Sequence, residues 1–158
     1  LLGDVLKGTL SILIVRFSFL WLTGTDTANP DNMMTYVGFA AAVAAIIGHV
    51  FPIYFGFKGG KAVATAAAVA LMIDWRVFLS AFAVFAIVAA LSKTASVSSM
   101  SASVAVAAMT PVFTRNPVLI SLGIFTCLLV LLMHRSNIRR LISGTEPRFH
   151  FGKHPGKQ

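Results

Sequence analysis

Residues 48–65 read GHVFPIYFGFKGGKAVAT, and this stretch decides how the rest of the chain is interpreted. Two glycines, Gly59 and Gly60, stand between Lys58 and Lys61. Glycine allows a positive φ and a close approach by a ligand, and successive N–H groups of such a turn form an anion-binding nest. A helix predicted to begin near Lys61 points the positive end of its dipole at the same place. The stretch therefore predicts a site for a phosphate-sized anion.

The composition places this site in a membrane protein. Of the 158 residues, 57% are apolar and only 11% are charged, and the mean hydropathy is +0.84. A soluble domain carries about 25% charged residues. This chain has too few charges to cover a water-facing surface, so an integral membrane protein is predicted. The single cysteine, Cys127, lies in an apolar run and is interpreted as packing or lipid-facing.

Six apolar runs separated by polar loops define the expected fold, and they cover residues 2–22, 33–55, 62–73, 77–92, 97–113 and 118–133. Apolar segments in lipid must satisfy their own backbone hydrogen bonds, so each run is predicted to be a helix. The fold class is therefore all-α, a polytopic transmembrane bundle of about six spans. The third run has twelve residues against the roughly 20 that a span needs, so it is expected to extend into both flanks.

Residues 1–146 are predicted to form one integral membrane domain, and residues 147–158 a basic tail. If the six spans alternate in direction, all Lys and Arg residues except Arg16, Arg76 and Arg115 fall on one side, which is ten of the thirteen. The positive-inside rule makes that side cytoplasmic. The glycine-lysine loop and the C-terminus are therefore predicted to lie on the cytoplasmic face.

Four polar clusters are predicted to meet at this face. In chain order they are Asp4 with Lys7; His49 to Lys61; Lys93 with Ser96, Ser98 and Ser99; and His134 with Asn137, Arg139 and Arg140. The positive-inside rule explains scattered lysines and arginines, but not histidine, asparagine, serine and paired glycine at one level. Each cluster also has a structural interpretation: a tight turn, a histidine at a helix end, or close packing of small serines.

The spacing of His134, Asn137 and Arg140 favours a site. Each is three residues from the next, so a helix presents a potential base, an amide and a guanidinium along one stripe. His49 stands three residues before Pro52. Because proline breaks a helix and frees carbonyl groups, an irregular loop lining a cavity is predicted there.

Two other kinds of site are not favoured. Three residues instead of four separate Gly56 from the Gly60–Lys61 pair, and Ala62 stands where a nucleotide-hydrolysing P-loop needs serine or threonine. The histidines are isolated and the acids are few, so no metal site and no cofactor are predicted.

These motifs resemble the bacterial PlsY family of membrane glycerol-3-phosphate acyltransferases. The family's central motif, of the form GHxFPxxxxFKGGKGVAT, is matched at residues 48–65, with Ala62 in place of the usual glycine. Residues 3–8, 92–99 and 134–146 resemble a family helix start, its serine-containing loop and its C-terminal motif. The family's first motif, of the type SGNxGATN, is expected before residue 1. A chain truncated at its N-terminus, with six of the family's seven helices, is therefore expected.

The resemblance implies an enzyme that transfers a fatty acyl group from acyl-phosphate to the 1-hydroxyl of sn-glycerol 3-phosphate. The products are 1-acylglycerol 3-phosphate (lysophosphatidate) and phosphate, in phospholipid biosynthesis. The implied partners are the two substrates and membrane lipid, with no nucleic acid and no need for CoA or acyl carrier protein. The implied location is the bacterial cytoplasmic (inner) membrane, with the active site on the cytoplasmic face.

The resemblance also assigns roles to residues. It places substrate phosphate on Gly59, Gly60 and Lys61, with Lys58 nearby. It places glycerol phosphate on Ser96, His134 and Asn137. It assigns catalysis to His134, Asn137 and His49. His134 or His49 is the candidate general base, and a phosphate of the substrates is the alternative. Direct acyl transfer is expected because no Ser-His-Asp arrangement is evident.

Three acidic or basic residues are interpreted as structural: Asp4, Lys7 and Glu146, the last through an ion pair with Arg139 or Arg140. Two other classes of function compete with the enzyme. A small anion or phosphate transporter should place polar residues at mid-membrane within inverted repeats, and the sequence shows neither. A non-catalytic membrane subunit packed through Ala and Ser faces leaves the histidines and Asn137 unexplained.

Overall fold

The computed structural model describes residues 33–53, 56, 57 and 59–148, with single positions 14, 17, 18 and 21 in the first apolar run. Within this part of the chain the helices are α1 (Met33–Val50), α2 (Val63–Ile73), α3 (Trp75–Ser92), α4 (Ala95–Phe113), α5 (Pro117–Met133) and α6 (Arg135–Ile142). The predicted all-α class is confirmed. Most of the first predicted span and most of the tail lie outside the described residues.

Among the described helices, α3 and α4 are each long and apolar enough to cross a membrane. Helices α5 and α6 together qualify as a third span, which is broken by a bend of 55°. Helices α1 and α2 are apolar but shorter. The expected extension of the third run was wrong. Ala62 before α2 is left-handed and Asp74 after it is extended, so the helix keeps eleven residues.

Asp74 is the whole connection between α2 and α3, and it caps α3. Its Oδ1 accepts the Arg76 backbone N–H at 2.7 Å, and the Arg76 guanidinium donates to both carboxylate oxygens at 3.0 and 2.8 Å. These bonds hold the pKa of Asp74 below its usual range. The same guanidinium lies 4.9 Å from the ring centroid of Phe113, the last residue of α4. The ends of α2, α3 and α4 are thereby joined at one end of the bundle.

Helix α2 lies at the centre of the packing and contacts α1, α3, α4 and α5. Two apolar clusters meet on it. One joins α1, α2 and α5, and consists of Ala42, Ile46, Val50, Ala62, Val69 and Leu122. The other joins α2, α3 and α4, and consists of Ala70, Val77, Ala81, Ala105 and Val106. Because α2 is fixed on both sides, the loop that precedes it is held against the bundle.

Helices α4 and α5 approach closely at Gly123. A Cβ at this position would lie 2.8 Å from Thr110 Oγ1. That hydroxyl is buried and donates to the Val106 carbonyl at 2.7 Å, so it has little freedom to move aside. A small residue in α5 therefore sets the separation of the two helices, as is usual for helix packing in membranes.

Candidate functional site

The glycine pair of the loop folds back on the end of α1. The Gly60 N–H donates to the His49 carbonyl at 3.2 Å. A Cβ on Gly59 would overlap the carbonyl oxygens of His49 and Val50 and would lie 2.6 Å from Pro52 Cδ. A Cβ on Gly60 would overlap the His49 ring. The structure therefore brings His49 and both glycines together, and it gives a steric reason for each glycine.

Ala62 follows the loop as the N-cap of α2, with φ 59° and full burial. A left-handed conformation explains why the family motif usually has glycine at this point. For a residue with a Cβ, this backbone conformation is less favourable by about 1–2 kcal/mol. Burial of the alanine methyl recovers about 0.8 kcal/mol. Alanine is therefore a net cost of roughly 1 kcal/mol or less at this position. The turn still forms, and the Ala62 carbonyl accepts the Ala66 N–H at 2.7 Å.

A buried hydrogen-bond network joins α4, α6 and the segment after α6. The Asn137 amide Nδ2 donates to Ser96 Oγ and to Glu146 Oε1, both at 2.6 Å. The Ser96 hydroxyl also donates to Glu146 Oε1, and Arg140 Nε donates to Glu146 Oε2 at 2.8 Å. Ser96 and Asn137 are 4% and 2% exposed. The network thus joins Ser96 of α4 to two residues, Asn137 and Glu146, that lie more than 40 positions later in the chain.

The network keeps the Glu146 carboxylate ionised. The Ser96 hydroxyl contributes most, and the Asn137 amide and Arg140 guanidinium add to it, so that the pKa of Glu146 falls from 4.5 to about 2 although burial opposes the change. The ion pair uses Arg140, one of the two predicted arginines. Because the carboxylate requires a donor, it fixes the orientation of the Asn137 amide. Asn137 Oδ1 is left buried without a hydrogen-bond partner among the described residues.

His134 lies at the bend between α5 and α6 and is 2% exposed. Its Nδ1 is 2.8 Å from the Val130 carbonyl oxygen. A carbonyl only accepts, so Nδ1 carries the hydrogen and Nε2 of the neutral ring keeps its lone pair. The charges of Lys61 and Glu146 both act on the ring. His134 therefore lies within electrostatic reach of both the glycine-lysine loop and the network.

An apolar cleft of about 300 Å³ adjoins these polar groups. It is bounded by α2, α3, α4 and Val130 of α5, and its lining includes Ala64, Ala67, Phe78, Phe82, Ala102 and Val130. Val130 also provides the carbonyl that holds His134. Ser99 lines the cleft one helical turn after Ser96. This cleft was not among the features predicted from the sequence, although Phe78, Phe82 and Phe85 at helical spacing in α3 were a signal for it.

The remaining predicted residues are Lys61, Lys58, Asp4, Lys7 and the other serines of the third polar cluster. Lys61 is exposed beside the glycine pair, whereas Lys58, Asp4 and Lys7 lie outside the described residues. Ser98 is buried and its hydroxyl donates to the Thr94 carbonyl at 2.7 Å, which agrees with the structural interpretation of this serine. Of the three serines in the predicted cluster, Ser96 is thus the one in the network.

The network predicts a pH dependence of stability. The pKa of Glu146 in the folded protein, about 2, lies below its ordinary value of 4.5. Its ionised form therefore adds stability that is fully present above pH 4.5 and is lost as the pH falls through 2. We expect Glu146→Gln to lower the melting temperature by a constant amount from neutral pH down to about pH 5, and by less at lower pH.

Scanning fluorimetry of the wild type and Glu146→Gln in detergent, from neutral pH to about pH 3, measures this difference. Asp74→Asn is the matched control. The pKa of Asp74 is also lowered, but by Arg76, and Asp74 caps the C-terminal end of α2 and is not part of the network. If Glu146→Gln lowers the melting temperature equally at neutral pH and at about pH 3, the ionised carboxylate is not what stabilises the fold.

The fold and the site define a class: an α-helical membrane protein with a polar, anion-suited site beside an apolar cleft. Residues 1–144 match the family described as "Glycerol-3-phosphate acyltransferase". The chain belongs to the glycerol-3-phosphate acyltransferase family, and the predicted membership of the PlsY family is confirmed.

Two relatives, both named glycerol-3-phosphate acyltransferase, illustrate the similarity. The protein from Trichormus variabilis is 40% identical over 149 residues, and that from Nostoc sp. is 41% identical over 150 residues. Each alignment covers 92% of this chain and 66% of the relative. The chain therefore spans just under two thirds of the length of these relatives.

The fold is also similar to crystal structures of PlsY (YgiH), an integral membrane glycerol 3-phosphate acyltransferase. The glycerol 3-phosphate form gives a TM-score of 0.78 at 31% identity, covering 93% of this chain and 68% of that one. The lysophosphatidic acid form gives a TM-score of 0.77 at 31% identity, with 93% and 69% coverage.

Proposed function

We propose that the protein transfers an acyl group from acyl-phosphate to the 1-hydroxyl of glycerol 3-phosphate, forming lysophosphatidate and phosphate. One observation carries the proposal: Val130 lines the apolar cleft, while its carbonyl holds the ring of His134 in the polar site. The reaction needs this junction, because one substrate is a water-soluble phosphate and the other is an apolar chain ending in an acyl-phosphate. Membership of the family supports the same activity.

The loop provides the phosphate site in this proposal. The backbone of Gly59 and Gly60 can approach a phosphate closely because neither has a side chain, and Lys61 adds a positive charge. Lys58 and Ser96 are proposed as further phosphate-binding residues. His49 packs against the glycines and maintains the shape of the loop.

The network provides the site for the acceptor alcohol. Asn137 is oriented by Ser96 and Glu146, so that its free Oδ1 can accept a hydrogen bond from a glycerol hydroxyl. The hydroxyl oxygen attacks the acyl carbonyl carbon, the bond from that carbon to the phosphate oxygen breaks, and phosphate leaves with the bond electrons. The hydroxyl proton passes to His134 Nε2, or to a phosphate oxygen of the substrates.

We place the site at the cytoplasmic face of the bacterial inner membrane. Support comes from the distribution of Lys and Arg, ten of thirteen of which fall on the side of the loop and the C-terminus. Acyl-phosphate is the proposed donor, and neither CoA nor acyl carrier protein is required. The proposed domain organisation is one membrane domain over 1–146 and a basic tail over 147–158.

The proposal is tested by incubating the purified protein with palmitoyl-phosphate and glycerol 3-phosphate and detecting lysophosphatidate by mass spectrometry. Product should form with palmitoyl-phosphate and not with palmitoyl-CoA, and Asn137→Ala should reduce it strongly. Absence of product would refute the activity. Phosphate flux into proteoliposomes without any lysophosphatidate would favour the transporter instead.

The cleft gives a second prediction for this function. Ala102 lines the cleft from α4, so Ala102→Phe fills part of the space available to an acyl chain. We expect kcat/KM for palmitoyl-phosphate to fall about tenfold or more, equivalent to about 1.4 kcal/mol. A short donor such as butyryl-phosphate should be affected much less. The measurement is kcat/KM for both donors.

Val104→Phe is the matched control, because Val104 is on the same helix but is 49% exposed and does not line the cleft. Equal losses for both donors in Ala102→Phe, or equal losses in both variants, would show that the cleft does not hold the acyl chain.

A further inference from the structure

We propose that the hydroxyl of Thr65 is an additional donor to the substrate phosphate, which binds at the N-terminus of α2. This inference rests on the proposed function and extends its phosphate site beyond the glycine-lysine turn. The ligand it recognises is a tetrahedral phosphate oxyanion, which glycerol 3-phosphate, acyl-phosphate and free phosphate have in common.

The first observation is an unused hydroxyl in a buried place. Thr65 is 1% exposed, and its Oγ1 has no hydrogen-bond partner among the described residues. Ser98, Thr110 and Thr126 are buried helical residues too, but each donates to the carbonyl four residues earlier, at 2.7 Å. Thr65 differs from them in having a free donor, and a free buried donor is costly unless a ligand uses it.

The second observation explains why Thr65 has no local acceptor. The carbonyl four residues before it belongs to Lys61, which precedes α2. Between them Ala62 is left-handed, with φ 59°, so Lys61 is not part of the helix. The turn that places the glycines and Lys61 therefore also releases the Thr65 hydroxyl.

The third observation concerns where the hydroxyl lies. Thr65 is the third residue of α2, an eleven-residue helix whose N-cap Ala62 offers no side-chain acceptor to the first N–H groups. Helical side chains tilt towards the N-terminus of their helix, which here is the end that carries Lys61. The first backbone N–H groups, Lys61 and Thr65 therefore all belong to the same end of α2, the end that favours anions.

The fourth observation separates Thr65 from the cleft. Val63, Ala64, Ala66 and Ala67 line the apolar cleft, whereas Thr65 does not. Thr65 instead lies one turn before Val69, whose face of α2 packs against α1 and α5. Helix α5 ends at His134, the residue on which the Lys61 charge acts. Thr65 is thus on the side of α2 that packs against α1 and α5, the two helices whose C-terminal ends carry His49 and His134.

The test compares Thr65→Val, which has nearly the same shape but no hydroxyl, with Thr65→Ser, which keeps it. The dissociation constant for inorganic phosphate is measured by calorimetry on the purified protein, and the melting temperature is measured without ligand. Thr65→Val should bind phosphate about tenfold more weakly, equivalent to about 1.4 kcal/mol. It should melt no lower than the wild type, because it loses only an unpaired donor. Thr65→Ser should bind within about twofold of the wild type.

Thr126→Val is the matched control, since Thr126 is equally buried but its hydroxyl is already bonded to the Leu122 carbonyl. Its phosphate affinity should not change. A Thr65→Val protein that melts lower but binds phosphate normally would overturn the proposal, because the hydroxyl would then be structural. A wild type that binds no phosphate would overturn it as well.

Kinetics identify the phosphate that is bound. A raised KM for glycerol 3-phosphate or for palmitoyl-phosphate in Thr65→Val assigns the hydroxyl to that substrate. If the wild type binds phosphate but makes no lysophosphatidate, the proposed function fails while the Thr65 comparison still stands. If the wild type is active and Thr65→Val matches it in both KM values and in phosphate affinity, the Thr65 inference alone fails.

Discussion

Gly59→Ala is expected to lower kcat/KM for glycerol 3-phosphate by about 100-fold or more while the helices stay folded. The added Cβ would overlap the backbone carbonyl oxygens of His49 and Val50, and it would meet the Pro52 ring at 2.6 Å. Backbone and proline atoms cannot rotate away, so the loop itself must move. A displacement of about 1 Å in a positioning group is enough for a loss of this size.

Steady-state kinetics and circular dichroism of the purified variant measure these two effects. Gly38→Ala is the matched control, because a Cβ on Gly38 in α1 would meet nothing within 4 Å. Gly60→Ala should have an intermediate effect, mainly on KM, since its Cβ would meet only the side chain of His49, which can turn. If Gly59→Ala behaves like Gly38→Ala, the fold of this loop is not what positions the phosphate.

The glycine pair shows how far the sequence could predict the site. The order Lys-Gly-Gly-Lys predicts a turn suited to an anion, because glycine allows a positive φ and a close approach of backbone to a ligand. It did not reveal that the end of α1 fills the space above both glycines. That contact requires the loop to fold back on the end of α1, and the residue types in 48–65 do not by themselves specify this path.

The C-terminal stripe was predicted in part. The spacing of His134, Asn137 and Arg140 correctly indicated polar side chains on a helix, but it assumed one continuous helix. The structure bends by 55° at His134, which separates α5 from α6 and takes the histidine out of the stripe. Asn137 and Arg140 then meet Glu146 and Ser96, and this pairing over 50 residues required the tertiary fold.

Thr65 and the apolar cleft were outside what sequence reasoning could reach. A threonine inside a helix normally donates to the backbone carbonyl one turn earlier. Thr65 does not, because the left-handed Ala62 takes the Lys61 carbonyl out of the helix. The cleft depends on the spacing between α2, α3 and α4, which is fixed by many small side chains together. The unpaired Thr65 hydroxyl and the cleft both depend on the positions of atoms after packing, which the residue types alone do not give.

His134→Asn is expected to lower kcat by about 10²–10⁴-fold, with little change in the melting temperature. Asparagine can keep the Nδ1-type hydrogen bond to the Val130 carbonyl, which is 2.8 Å long in the wild type, but it has no nitrogen that can take a proton. The loss therefore measures the role of Nε2 as general base. His49→Asn is the matched comparison, and it should mainly raise KM, because His49 contacts the glycine pair.

The same pair of variants decides where the alcohol proton goes. If His134 is the base, His134→Asn should also remove the acidic limb of the pH profile of kcat, since that limb reports protonation of the base. If kcat in His134→Asn falls only a few-fold and the acidic limb remains, a substrate phosphate takes the proton and His134 only positions the acceptor. A much larger loss of kcat in His49→Asn would move the base to the loop. The hydrogen bond between His134 and the Val130 carbonyl would then have only a structural role at the bend. The alcohol proton would pass to His49, in the last turn of α1.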